Sequence, residues 1–147
     1  MEIKYELYQH QKECLEYSKK KNKFILADGM GLGKTLQGIC VAIDKKSEVK
    51  HCLIVCCVNG MQYSWKHEIE KATYESARIL GDRLGKKTKK WSIKGNKEKL
   101  EDLNNLGEEY FIITNIEVFR NKAIVDKIQD LCKKGQIGMC IIDEPHI

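Results

Sequence analysis

The residues FILADGMGLGKT at positions 24–35 decide how this sequence is interpreted. Positions 24–27 form a short apolar run that predicts a β-strand, and apolar residues recur at helical spacing over 36–43. The glycine-rich segment 28–33 lies between them and leads into a lysine and a threonine. A strand, a glycine-rich turn ending in Gly-Lys-Thr, and a helix together form the pattern of a phosphate-binding loop.

In such a loop the glycines let several backbone N–H groups converge on one point, where the following helix adds its positive N-terminal end. Lys34 is then expected to reach the β- and γ-phosphates of a nucleotide, and the Thr35 hydroxyl to hold Mg²⁺. The alternative is a glycine-rich turn that serves packing only, and it leaves Lys34 without a role. The residues predicted to contact the nucleotide are Asp28, Gly29, Met30, Gly31, Leu32, Gly33, Lys34 and Thr35.

A second motif is the apolar run at 138–142, which predicts a strand and is followed directly by two carboxylates. Asp143 is suited to the ligand shell of Mg²⁺, and Glu144 is suited to polarising an attacking water. On its own, such a pair of carboxylates more often marks an ordinary turn after a strand. The phosphate-binding loop earlier in the chain favours the catalytic interpretation.

Strand and helix patterns alternate along the rest of the chain, which predicts an α/β fold with a parallel sheet and helices on both faces. Asn96 is a candidate N-cap and Gly135 a candidate left-handed C-cap. The predicted strands are 24–27, 52–58, 77–80, 110–114 and 138–142. The predicted helices follow the stripes Leu7/Gln11/Cys14/Leu15, Leu36/Ile39/Cys40/Ile43, Met61/Trp65/Ile69, Leu100/Leu103 and Ile124/Ile128/Leu131/Cys132.

Composition limits the class of protein. The 147 residues, 42% hydrophobic and 32% charged, suit one globular domain. The apolar runs are far shorter than the about 18 residues that a membrane span needs, and the N-terminus does not resemble a signal peptide. The seven cysteines lack metal-binding spacing, which predicts free thiols in a reducing compartment. We therefore expect a cytoplasmic protein without a membrane partner.

The positive charge is concentrated in one segment. Positions 83–99 hold eight basic residues and one acidic residue, whereas the rest of the chain holds 18 basic and 20 acidic residues. This segment, which includes Trp91, could contact a phosphate backbone and stack on a base. The alternative is a solvated lysine-rich excursion of the chain.

The segments DGMGLGKT at 28–35 and DEPH at 143–146 resemble motifs I and II of the superfamily-two helicases, in particular the DEAH-like Swi/Snf-type DNA translocases in their phage or bacterial style. The resemblance extends along essentially the whole chain. It implies a RecA-like P-loop NTPase lobe that uses ATP and Mg²⁺, hydrolyses ATP, and moves on duplex DNA. The alternatives are a non-catalytic nucleotide- or DNA-binding remnant, and an unwinding helicase of the same superfamily.

The resemblance also implies roles for individual residues. The segment 7–11 is similar to the one that carries the family's adenine-reading glutamine, which implicates Gln11, although a satisfied amide remains the alternative. Segments 53–65 and 112–117 resemble motif Ia and a later strand, which face nucleic acid in the family. Trp65 is expected to anchor the core of its helix rather than to stack on a base. The implied nucleic-acid contacts are Asn59, Lys66, Thr114 and Asn115.

The resemblance further implies that the chain is a partial first RecA-like domain over 1–147, truncated after the Walker B strand. The missing C-terminal motor lobe is then its partner, and the chain alone is expected to be inactive. A bacterial cytoplasm, or that of a phage-infected host, is the expected location.

Overall fold

The computed structural model describes residues 34–57 and 60–143, where helices and strands alternate. The helices are α1 (Lys34–Asp44), α2 (Met61–Ala72), α3 (Asn96–Asn104) and α4 (Lys122–Lys133). The strands are β1 (His51–Cys56), β2 (Ala77–Ile79), β3 (Asp82–Leu84), β4 (Trp91–Ile93), β5 (Phe111–Asn115) and β6 (Ile137–Asp143). A 3₁₀ helix, Ile116–Arg120, follows β5. The predicted helix near Gln11 and the predicted strand at 24–27 lie outside the described residues.

Four strands form a parallel sheet in the order β2-β5-β1-β6. β1 lies inside the sheet, with Leu53 opposite Ile112 of β5 on one side and Cys140 of β6 on the other. All six residues of β1 are buried. Such a continuous apolar strand requires cover on both faces of the sheet. The predicted α/β fold with a parallel sheet is confirmed.

The two faces of the sheet have separate apolar cores. On one face Ile54 packs with residues of α1 and α2, including Ile39 and Ile69. On the other face Leu53 packs with residues of α3 and α4, including Ile124. Because side chains alternate along a strand, neighbouring residues of β1 enter opposite cores. The prediction of helices on both faces is therefore confirmed.

Two details of the helix predictions are wrong. Asn96 is the first residue of α3 rather than its N-cap, because Gly95 precedes the helix with extended backbone angles (φ −85°, ψ −165°). Cys132 is exposed. It lies eight residues after the buried Ile124, which turns it about 80° from that residue around the helix. Gly135 adopts the predicted left-handed conformation, with φ 77°, and its N–H donates to the Cys132 carbonyl at 3.1 Å.

The sequence did not predict the antiparallel hairpin formed by β3 and β4. In it, Asp82 lies opposite Ile93 and Leu84 lies opposite Trp91. Each strand has only three residues, which is too short for a recognisable alternation of polar and apolar side chains. In the described parts of the chain, no helix has the length and apolar character to cross a membrane.

Candidate nucleotide site

Helix α1 runs antiparallel to the strands of the sheet. Near its end, the Ala42 carbonyl accepts a hydrogen bond of 2.6 Å from the hydroxyl of Tyr110, which directly precedes β5. Just beyond the helix, Lys46 forms an ion pair with Glu75, which precedes β2. Both contacts place the end of α1 at the amino ends of the strands. The residues that begin the helix therefore lie at the carboxyl ends, as a phosphate-binding loop requires.

Asp143 is fixed at that same end of the sheet. It ends β6, where its register partner is Cys56 of β1, and its carbonyl accepts from the Cys57 N–H at 3.1 Å. Its side chain accepts a second hydrogen bond, from Trp65 Nε1 to Asp143 Oδ2 at 2.9 Å. The backbone and one carboxylate oxygen are thus both held, while the residue as a whole stays partly exposed.

Gly38 lets α1 approach Trp65 and strand β6 closely. A Cβ placed on it would lie 3.2 Å from Cη2 of Trp65 and 3.5 Å from Cδ1 of Ile141. Thr35 lies three residues before Gly38, about 4.5 Å along the helix axis. Asp143 lies two residues after Ile141, about 6.6 Å along β6. The contact between α1 and β6 therefore brings the predicted metal-binding residues, Thr35 and Asp143, to one end of the same junction.

Trp65 is both a core residue and a hydrogen-bond donor. Its exposed fraction is 2%, which confirms the predicted core position in α2. The hydrogen bond to Asp143 was not predicted from the sequence. A buried indole N–H ordinarily needs an acceptor, so the predicted core position of Trp65 did indicate that some acceptor lies nearby.

The sequence analysis also did not single out a second buried polar group, the amide of Gln37 in α1. Neither of its amide atoms has a partner among the described residues.

Cys56 of β1 is the register partner of Asp143 at this end of the sheet. Burial raises the pKa of the Cys56 thiol to about 12, and the electrostatic influence of Asp143 and then of Cys57 acts in the same direction. Cys56 therefore stays neutral beside the carboxylate. Nowhere in 34–57 and 60–143 do three His, Cys, Asp or Glu side chains come together as a metal site. Mg²⁺ in phosphate sites is typically held by one or two carboxylates plus phosphate oxygens, and Asp143 with Thr35 fits that set.

The candidate nucleic-acid contacts are spread over two elements. Asn115 ends β5 opposite Cys56, so the carboxyl ends of β5, β1 and β6 lie side by side. Thr114 is 1% exposed, and its hydroxyl has no partner in the described part of the chain. Lys66 lies on α2, partly exposed and 3.9 Å from Glu70. The described candidates therefore belong to a helix, which carries Lys66, and to a strand, which carries Thr114 and Asn115.

Several predicted site residues lie outside the part of the chain that the structure describes. For Lys34 the backbone is described, as the start of α1, and the side chain is not. The other residues are Gln11, Asp28, Gly29, Met30, Gly31, Leu32, Gly33, Asn59 and Glu144.

Comparison with known proteins adds a family and a fold. The SNF2-related domain family matches residues 8–147. The DNA repair and recombination protein RAD54 of Oryza sativa subsp. japonica is 31% identical over 129 residues, which cover 83% of this chain and 12% of that protein. The Sulfolobus solfataricus SWI2/SNF2 ATPase core in complex with dsDNA superposes with a TM-score of 0.64 at 20% identity. That alignment covers 96% of this chain and 32% of the Sulfolobus chain, and it supports a shared RecA-like fold.

Proposed function

The chain belongs to the SNF2-related domain family, and from that membership we propose that it forms the nucleotide-binding part of a motor that couples ATP hydrolysis to movement along duplex DNA. The observation that carries this proposal is the junction of α1 and β6. It brings the start of the helix and the Asp143 carboxylate to the carboxyl end of a parallel sheet. This is where nucleotides bind in open α/β sheets.

Each part of the proposed site has its own role. The amides of 28–33 and the ammonium of Lys34 cradle the phosphates, and Gln11 binds the adenine. Thr35 and Asp143 would hold Mg²⁺, which would neutralise charge on the phosphates. Glu144 accepts a proton from the water that attacks the γ-phosphate.

Trp65 is a positioning residue in this scheme. Its N–H fixes one oxygen of Asp143, so the orientation of the carboxylate is set before a metal arrives. A hydrogen bond to a charged acceptor is worth about 1.5–3 kcal/mol, which is enough to favour one orientation over the alternatives. Since Trp65 also packs against Gly38 of α1, one side chain links the two halves of the site.

Duplex DNA is the proposed track. The Sulfolobus ATPase core was solved in complex with dsDNA, and the rice relative is a DNA repair and recombination protein. Asn59, Lys66, Thr114 and Asn115 are the proposed contacts with its backbone, and Asn115 lies at the carboxyl end of β5. The burial of Thr114 means that Asn115 is the more accessible of the two β5 residues.

The chain spans 12% of the rice relative and 32% of the Sulfolobus chain. We therefore propose that residues 1–147 are part of a first RecA-like domain and that full activity needs a second, C-terminal motor lobe. That lobe would supply the positive charge that an arginine finger brings to phosphoryl transfer, which is worth about 10³–10⁵ in rate.

The test is the release of phosphate from ATP by the purified chain, with and without duplex DNA, and with Glu144→Gln as the blank. We expect Mg²⁺-dependent ATP binding and a release rate equal to that of the blank. DNA-stimulated release that Glu144→Gln abolishes would contradict the need for a second lobe. Absence of ATP binding would contradict the nucleotide role itself.

A further inference from the structure

The hairpin of β3 and β4 lies at the sheet edge opposite the candidate nucleotide site. β2 is one edge of the described sheet and β6, which carries Asp143, is the other. Three strand spacings, about 14 Å in all, separate these edges. The hairpin follows β2 directly through a turn at Gly81, whose φ of 83° suits glycine. A partner that binds the hairpin would therefore bind at a different edge of the sheet from the nucleotide.

The base of the hairpin is firmly held. Arg83 donates from both terminal nitrogens to the two carboxylate oxygens of Asp102 in α3, each at 3.0 Å. Asp102 also accepts from the Gly81 N–H at 2.7 Å. On the other side, the hydroxyl of Tyr63 in α2 donates to Asp82 at 2.6 Å. The carboxylate of Asp102 neutralises Arg83, and the two attachments together fix the direction in which the hairpin projects.

The tip of the hairpin carries positive charge that is not neutralised in this way. A turn closed by the Gly85 N–H and the Lys90 carbonyl, 2.8 Å apart, connects the two strands. The four lysines of this turn are exposed, and no carboxylate among the described residues pairs with them. We call them the tip lysines: Lys86, Lys87, Lys89 and Lys90.

An apolar pair lies beside the tip lysines. Leu84 and Trp91 are register partners on adjacent strands, so their side chains share one face of the hairpin. Both are large and exposed, Leu84 at 50% and Trp91 at 59%. Most exposed lysine loops are flexible and simply solvated. This loop differs because a clamped scaffold presents, next to an aromatic side chain, four positive charges that have no carboxylate partner in 34–57 and 60–143.

We propose that the tip lysines form a second contact with the phosphate backbone of duplex DNA, separate from the contact proposed at the carboxyl end of β5. This proposal rests on the proposed function, because the DNA is the track of the motor. Duplex DNA carries one negative charge per about 1.7 Å, so four clustered lysines can neutralise several phosphates and release their counterions. Leu84 and Trp91 then offer apolar surface to the sugars between those phosphates.

The test compares two variants with the same change in charge. In one, all four tip lysines are replaced by glutamine. In the matched control, the four lysines of the α4 region are replaced by glutamine: Lys122, Lys127, Lys133 and Lys134. The affinity of each chain for a blunt DNA duplex is measured as a function of salt concentration.

We expect the tip variant to bind the duplex at least tenfold more weakly at low salt. Its plot of log affinity against log salt should also be less steep, by about 0.9 for each phosphate that the variant no longer neutralises. The α4 control should stay within twofold of the unmodified chain. Equal binding by all three chains would overturn the proposal.

Trp91 provides an independent readout. Of the two tryptophans, Trp65 is buried and Trp91 is exposed, so acrylamide quenching reports on Trp91. Duplex DNA should protect it in the unmodified chain and in the α4 control. Unchanged quenching in the presence of saturating duplex would contradict the proposed contact.

A vesicle measurement distinguishes duplex DNA from a membrane as the partner of the tip lysines. If the tip variant loses affinity for anionic lipid vesicles but not for the duplex, the surface binds membranes and the proposal fails.

A second measurement separates the tip contact from the nucleotide site. Binding of a fluorescent ATP analogue should be the same in all three chains. If no chain binds duplex, both the tip contact and the DNA track are wrong, whereas retained ATP binding would leave the nucleotide role standing.

Discussion

Two aspartates, near opposite edges of the sheet, both accept side-chain hydrogen bonds but have different roles. Asp102 is 8% exposed and is surrounded by donors, with both of its oxygens bound to Arg83 and one bound also to the Gly81 N–H. Asp143 is partly exposed and accepts from a neutral indole. A carboxylate neutralised by a guanidinium is a structural clamp. The indole of Trp65 instead orients Asp143 without bringing a charge of its own.

The largest effect is expected from breaking the clamp. Asp102→Ala removes the acceptor of Arg83 and of the buried Gly81 N–H, and the lost charge-assisted hydrogen bonds should lower the free energy of unfolding by about 3 kcal/mol. Urea denaturation measures this loss. Asp126→Ala, which removes an exposed partner of Lys122 on α4, serves as the control and should leave the midpoint unchanged. Equal midpoints for the two variants would show that Asp102 is not a clamp.

The next effect concerns the close approach of α1 to β6. Gly38→Val puts a branched side chain where even a Cβ lies 3.2 Å from Trp65, and should destabilise the fold by about 1–3 kcal/mol. Ala123→Val, at an exposed position of α4, controls for the helix propensity of valine. Thermal unfolding of the two variants separates packing from propensity, and similar melting temperatures would argue against a tight junction.

A smaller, more specific effect is expected at the indole. Trp65→Phe keeps a ring in the core but removes the donor to Asp143, so Mg²⁺-dependent binding of an ATP analogue should weaken about tenfold. Binding measured in EDTA should not change. Tyr63→Phe removes a donor from the same helix on the side of the hairpin and should leave both measurements unaltered. A loss of affinity that is the same with and without Mg²⁺ would indicate a purely structural role for Trp65.

The smallest effect is expected in the reactivity of thiols. Burial raises the pKa of Cys56 from 9.0 to about 12, so the folded protein favours the neutral thiol. The folded state therefore loses stability relative to the unfolded state as the pH rises through that range. Iodoacetamide should therefore label the exposed Cys132 well before Cys56 in the native protein at pH 9.0. Mass spectrometry of labelled peptides provides the measurement. Early labelling of Cys56 would contradict the tight packing of β1 against β6.

Much of the fold could be predicted because burial leaves a periodic trace in the sequence. The apolar run of β1 and the stripe of α1 indicated their elements directly. The hairpin left no such trace, since its clamp depends on Arg83 meeting Asp102 from another element. The indole bond to Asp143 depends in the same way on tertiary packing. Sequence patterns therefore predicted candidate residues for the chemistry, and the structure shows what holds one of them, Asp143.

The most direct test of the nucleotide site is the binding of a fluorescent ATP analogue, in the presence of Mg²⁺, to the unmodified chain, to Lys34→Ala and to the control Lys122→Ala. Lys34→Ala removes the positive charge that we assign to the β- and γ-phosphates, so most of the affinity should disappear. Lys122 lies on α4, on the other face of the sheet, and its replacement should change nothing. If Lys34→Ala binds the analogue as tightly as the unmodified chain, the phosphate-binding role of this loop, and the function built on it, is wrong.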